Sequence, residues 1–146
     1  MDDIESIKQL KARYFRFMDG KDWDGYRTVF TEDVVFDVRG GMAATPPNPE
    51  YDEPPIEGAD GAVAFIKKGL GAFISAHQGF MPEITLTGAD TATGVWAMTD
   101  VLRAGEGAPF RTVRGYGHYH EEYRKIDGAW KIAKLRLTRL IVDIEQ

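Results

Sequence analysis

The chain contains no cysteine. That removes disulfides, thiolate nucleophiles and cysteine-ligated zinc together. No apolar run approaches the ~18 residues that cross a bilayer, so no membrane span is expected. Positive charge is not in excess either: 18 Lys and Arg stand against 23 Asp and Glu, a net charge of −5. A duplex-binding module needs a basic face, so nucleic acid is not an expected partner. The start, Met1-Asp2-Asp3-Ile4-Glu5, lacks the basic region of a secretory signal, and a cytoplasmic location is expected. What remains is a chain of 146 residues, 43% apolar and 28% charged, as one domain over residues 1–146. Its chemistry must come from His, Asp, Glu, Tyr, Lys or Arg.

Residues 3–19 have helical periodicity, with Ile4, Ile7, Leu10, Tyr14, Phe17 and Met18 on one face. Asp2 or Asp3 is placed to cap the start, and Gly20 to end it in a left-handed conformation. A short helix is expected over Trp23–Phe30, a strand over 34–38, and a third helix over 61–76. Between the last two lies the stretch 40–58, with five prolines and four acids, which reads as a loop and a candidate lid. After Pro82 the period changes to two. Runs 83–87, 91–103, 110–125 and 129–144 read as strands, with Gly88-Ala89-Asp90 and Asp127-Gly128 as hairpin turns. The fold class is therefore α+β: a curved antiparallel sheet with three helices from the N-terminal half covering one face and leaving a pocket.

Within that frame a few polar residues share phase with apolar ones. Trp96, Met98, Asp100 and Leu102 alternate onto one face of the second strand of the meander, which sets an acid among large apolar side chains. Asp100 is either a satisfied structural carboxylate or part of a site. Tyr14 is either a core tyrosine or a donor, and Asp19 closes its helix against the macrodipole. His77, after the third helix, reads equally as a cap of that helix's C-terminus. On the last strand Trp130 and Ile132 differ in phase from Leu135 and Leu137, which calls for a β-bulge near Ala133-Lys134. Arg139 then points inward, or lies at an edge and snorkels. His118 and His120 share a face at a spacing that metal sites use, but no third ligand has sequence support, and no metal is expected there.

Several segments resemble a known family: residues 3–24 (DIESIKQLKARYFRFMDGKDWD), 77–85 (HQGFMPEIT), 91–96 (TATGVW) and 123–132 (YRKIDGAWKI). They are similar to SnoaL-like proteins of the nuclear-transport-factor-2-like superfamily, in particular the bile-acid 7α-dehydratase branch, with likeness also to scytalone dehydratase. The resemblance implies the cone fold and a catalytic set of Tyr14, Asp19, His77, Asp100 and Arg139, with Phe17, Trp96, Met98, Tyr116 and His118 lining the substrate pocket. The branch's Gly-His-Thr-Pro-Glu segment is here Gly79-Phe80-Met81-Pro82-Glu83, which implies a more apolar pocket rim.

Such a set implies a cofactor-independent lyase, first of all a dehydratase acting on a hydrophobic hydroxy-carbonyl ring compound. Asp100 would orient His77 as base, Tyr14 would donate to an enolate, Asp19 would orient Tyr14 or relay a proton, and Arg139 would seat negative charge. The same parts fit a C–C lyase releasing formaldehyde, an isomerase, or a binding domain without catalysis. A homo-oligomer, dimer or trimer, is expected through an apolar outer sheet face carrying Val95, Val101 and Val113.

Overall fold

In the computed structural model, which describes residues 1–41, 51, 53–108 and 110–146, the Asp2 carboxylate accepts from the Glu5 amide at 2.7 Å and starts helix α1, Asp3–Asp19. Acids in its first turn and Arg16 in its last match the macrodipole. Gly20 is right-handed, against expectation. The left-handed position falls to Lys21, whose ammonium donates to the carbonyls of Leu70 and Phe73 at 3.0 and 2.6 Å. Helix α2, Trp23–Arg27, is capped by Asp22 and is shorter than expected, because Phe30 already begins strand β1, Phe30–Asp37. Strand β2, Ile56–Glu57, and helix α3, Ala59–Leu70, follow.

The larger departure comes next. The third helix stops at Leu70, and strand β3 runs Phe73–Leu86. Phe73, Ser75 and His77 alternate inward, while Ile74 and Ala76 face out. His77 is therefore a strand residue and caps no helix. Strands β4 (Thr91–Ala104), β5 (Thr112–Ile126) and β6 (Ala129–Glu145) complete the meander. Asp127 and Gly128 both take positive φ, the turn that two-residue hairpins require.

The six strands form one curved, unclosed sheet in the order β2-β1-β6-β5-β4-β3. All pairs are antiparallel except β1 with β6. Helices α1 and α3 cover the concave face, α1 chiefly on β3 and α3 on β1. Strand β6 slips register twice, first at Ala133 and again at Leu140, and between these points Leu135, Leu137 and Arg139 face inward. Edge-on aromatic pairs, Tyr26 with Phe30 at 5.1 Å and Phe30 with Phe36 at 5.7 Å, fill one side of the core. Val113, expected on the outer face, is fully buried and inward; Val95 and Val101 do lie on the outer face, half-buried. Among the described residues no helix is long and apolar enough to cross a membrane. The expected lid over 40–58 falls largely on residues outside those described.

Candidate active site

A cavity of 490 Å³ opens between the helices and the concave face. One end is polar, formed by Tyr14 from α1, His77 from β3, Asp100 from β4, Tyr119 from β5 and Arg139 from β6. The rest is apolar, with Phe36, Phe65, Ile66, Leu70, Leu102 and Leu137 as its main walls. Five elements thus send polar side chains to one point.

His77 is held by Asp19 at both its ring and its backbone. Its Nδ1 lies 2.6 Å from Asp19 Oδ1, and its backbone N–H donates to Asp19 Oδ2 at 2.7 Å. Ser75 Oγ donates to the same carboxylate at 2.9 Å. An ionised carboxylate only accepts, so Nδ1 carries a hydrogen toward Asp19, and Nε2 is the ring nitrogen left on the side of Asp100 and the cavity. Nε2 is 3.5 Å from Asp100 Oδ2. The family resemblance pairs His77 with Asp100 and Asp19 with Tyr14. The structure makes the other pairing: Asp19 orients His77.

Asp100 belongs instead to Arg139. The two form a fork, Nη1 to Oδ1 at 2.9 Å and Nη2 to Oδ2 at 2.8 Å, with both side chains under 5% exposed. Arg139 Nε also donates to the Gly41 carbonyl at 2.9 Å, and Nη1 contacts Met98 Sδ at 3.3 Å. That leaves one of its five N–H donors without an acceptor among the described residues. Asp100 is thus the charged partner of Arg139 in this structure. Gly115, opposite Asp100 in the β4–β5 register, makes the fork possible: a Cβ there would collide with Asp100 Oδ1 and Arg139 Nη1.

Tyr14 is 1% exposed, its ring 5.3 Å from Tyr26 and 5.7 Å from Tyr119. Burial pushes the Tyr14 and Tyr119 phenols well above the usual tyrosine range, and the Asp100 charge adds to this at Tyr119. Both stay protonated, and therefore donors, at neutral pH. Tyr119 was not anticipated. It lies between His118 and His120, which drew attention, yet alternation sends it to the opposite face, paired with Trp96 in register.

The expected pocket residues fare differently. Phe17 packs under the Arg16 guanidinium, away from the cavity. Trp96 is inward but deeper in the core, donating to Tyr123 Oη at 3.0 Å, and Met98 sits behind Arg139. Tyr116 and His118 face outward from β5. They fall outside because β5 runs in the opposite parity to the one assumed. Phe80 and Met81, read as an apolar pocket rim, are exposed at a bulge of edge strand β3 and do not line the cavity. His118 and His120 lie 6.2 Å apart on the outer face, and among the described residues no group of three potential metal ligands forms.

Residues 1–136 match the SnoaL-like domain family. The chain belongs to that family. A protein of Gibberella zeae named a probable cyclase is 26% identical over 136 residues, covering 92% of this chain and 89% of its own. The crystal structure of a candidate scytalone dehydratase from Novosphingobium aromaticivorans superposes with a TM-score of 0.79 at 18% identity, over 98% of this chain and 87% of that one. The hexachlorocyclohexane dehydrochlorinase LinA-type3 from Novosphingobium barchaimii gives 0.77 at 18% identity, over 96% and 88%. At that identity the two structures speak for the SnoaL-like fold, a helix-covered curved sheet around a cavity, and for no more.

Proposed function

We propose that this SnoaL-like chain is a cofactor-free lyase, a dehydratase that removes a proton beside a carbonyl and expels a hydroxyl from the neighbouring carbon. The observation that carries this reading is His77, with Nδ1 tied to Asp19 and Nε2 directed into a cavity beside two buried phenols. Nε2 takes the acidic C–H proton, and the electron pair moves onto the carbonyl oxygen as an enolate. The phenol hydroxyls of Tyr14 and Tyr119 donate to that oxygen. The enolate then collapses, the C–O bond breaks, and the proton on Nε2 leaves with the hydroxide as water. During the step the imidazolium lies between Asp19 and Asp100, and the Arg139 charge keeps that corner from becoming doubly negative. None of these moves calls on a metal or an organic cofactor.

The apolar walls favour a hydrophobic ring system, steroid-, polyketide- or aromatic-like, with one polar end toward His77. The test is to incubate the protein in D₂O with hydroxy-ketone steroids, cyclic polyketide alcohols and hydroxylated lignin-type aromatics, following the products by mass spectrometry. Loss of water that disappears in His77→Ala supports the dehydratase. Deuterium uptake alone makes the site an isomerase, and release of formaldehyde makes it a C–C lyase. Binding without any turnover overturns the catalytic reading. We also propose a homo-oligomer, dimer or trimer, through the outer sheet face, where Tyr116, Leu140 and Ile141 are exposed. A particle of 16.3 kDa by light scattering at micromolar concentration overturns it.

A further inference from the structure

Beneath the cavity lies an ion pair that the mechanism above does not use. Lys11 Nζ and Glu121 Oε2 are 2.7 Å apart, and both side chains are 0% exposed. Glu121 is also held on its other oxygen, where Tyr123 Oη donates at 2.6 Å, and Tyr123 in turn accepts from Trp96. Lys11 has no further hydrogen-bond partner among the described residues. Its ammonium lies instead over aromatic faces: 3.5 Å from the Tyr119 ring centre, 3.7 Å from Tyr14 and 4.9 Å from Phe15. Two of those three rings belong to the tyrosines that line the cavity.

A buried ion pair adds little to stability over a neutral pair of the same volume, so packing alone gives no reason for it. A cation against the face of a phenol does have a chemical consequence. It draws electron density from the ring, so the hydroxyl donates more strongly to a nearby anion, and in a water-poor interior that attraction is poorly screened. We propose that Lys11, gripped by Glu121, is a positioning residue for the site: it strengthens the Tyr14 and Tyr119 hydroxyls as donors to negative charge in the cavity. This rests on the reading of those phenols as oxyanion donors.

Burial draws the Lys11 amine down to about 8, against the upward pull of Glu121, so it is still an ammonium at neutral pH. The titratable groups that face it are Glu121 and Tyr119 from β5 and Tyr14 from its own helix. Once Lys11 is neutral, the Glu121 charge acts on the phenols without compensation, and Glu121 already pushes Tyr14 upward.

The probe is 4-nitrophenol, whose anion mimics an enolate and whose ionisation is read by absorbance; 4-nitrotoluene serves as its neutral counterpart. The test variant is the neutral pair Lys11→Met with Glu121→Gln, checked for folding by thermal denaturation. We expect the bound nitrophenol to titrate about one unit higher than in wild type, a roughly tenfold loss of phenolate affinity. Affinity for 4-nitrotoluene stays within about twofold. Lys11→Arg, which keeps a cation of a kind that does not lose its proton, restores the wild-type titration. A neutral pair that titrates like wild type, or that loses both probes equally, overturns the proposal. Tyr14→Phe separates the two readings: if it leaves nitrophenolate affinity untouched, or if wild type does not bind the anion, the donor role of the phenols fails first. Should the neutral pair not fold, wild type and Lys11→Arg are compared across pH. Wild type is expected to lose phenolate affinity above about pH 8 while Lys11→Arg does not. Identical profiles overturn the proposal.

Discussion

Two clusters of charge are buried in this small SnoaL-like domain, and they differ in what they can reach. His77, Asp100 and Arg139, with Asp19 bound to the imidazole behind them, meet at the wall of a cavity, so the three can meet a guest. Lys11 and Glu121 are sealed, with Tyr123 and three aromatic faces closing every side. The first cluster can act by contact and the second only through its field. The comparison teaches that burial alone does not mark a site. What separates the two is whether a titratable atom is left facing empty space.

The sharpest way to break that distinction is at the open cluster. His77→Ala removes the base and should lower the turnover of a true substrate by about 10²–10⁴, with the fold intact by circular dichroism. Wild-type turnover in that variant removes His77 from the mechanism. Tyr14→Phe deletes only an oxygen, so packing is kept, and kcat should fall by about 10²–10³ with little change in KM. Next come the pairs. Arg139→Met strands Asp100, and Lys11→Met strands Glu121; each should cost about 3–5 kcal/mol of stability in denaturant titrations. Neutralising both partners should recover most of that loss in either cluster. Activity, however, should stay absent when the recovered pair is Asp100 and Arg139. A recovered, fully active Asp100→Asn/Arg139→Met enzyme would erase the contrast between the two clusters.

The smallest expected effect lies on the outer face and serves as a control for both. Burial holds His120 below its ordinary value of 6.5, aided by the neighbouring His118 and Arg136. As pH falls through 6.5 the unfolded chain takes up that proton before the folded one does. Stability should therefore be full above about 6.5 and decline modestly below it. His120→Asn should flatten the decline in thermal denaturation without touching turnover. A decline of the same size in the variant assigns the acid sensitivity elsewhere.

Much of this arrangement could be read from the sequence, and what could not has physical reasons. The capped first helix, the Asp127-Gly128 hairpin, the inward phase of Asp100 and the bulge that turns Arg139 inward are all local pattern. The boundary between α3 and β3 is not. Phe73 and Ile74 satisfy a helical stripe as well as a strand, and only pairing with β4 decides for the strand. Partner choice is equally non-local: Asp19 and His77 are 58 positions apart, and nothing along the chain says that the end of α1 abuts β3. Tyr119 was hidden by two histidines that point away from it. Nothing along the chain sets Lys11 apart, because a lysine on a helix is almost always solvated. Here Glu121, 110 positions later, gives it a buried partner.

The two bulges of β6 act as a pair of compensating frameshifts. Upstream of Ala133 the even-numbered residues Trp130 and Ile132 face inward; between the bulges the odd-numbered ones do, ending with Arg139; beyond Leu140 the even-numbered Val142 and Ile144 pair with inward-facing Gly115 and Val113. Only the stretch between them is read in the shifted frame. Ala133 is the residue left without a partner on β5, between Ile132 on Tyr123 and Lys134 on Glu122, so deleting it alone would restore plain alternation and leave Leu135, Leu137 and Arg139 facing inward. Leu140 is unpaired in the same way, between Arg139 on Gly117 and Ile141 on Tyr116, and deleting it alone would keep Val142 and Ile144 in phase. Each bulge thus carries one residue that can be lost without turning its neighbours, whereas a paired residue lost between them would break the phase that holds Leu135, Leu137 and Arg139 inward together, so length changes in this strand are tolerable at the bulges and ruinous between them.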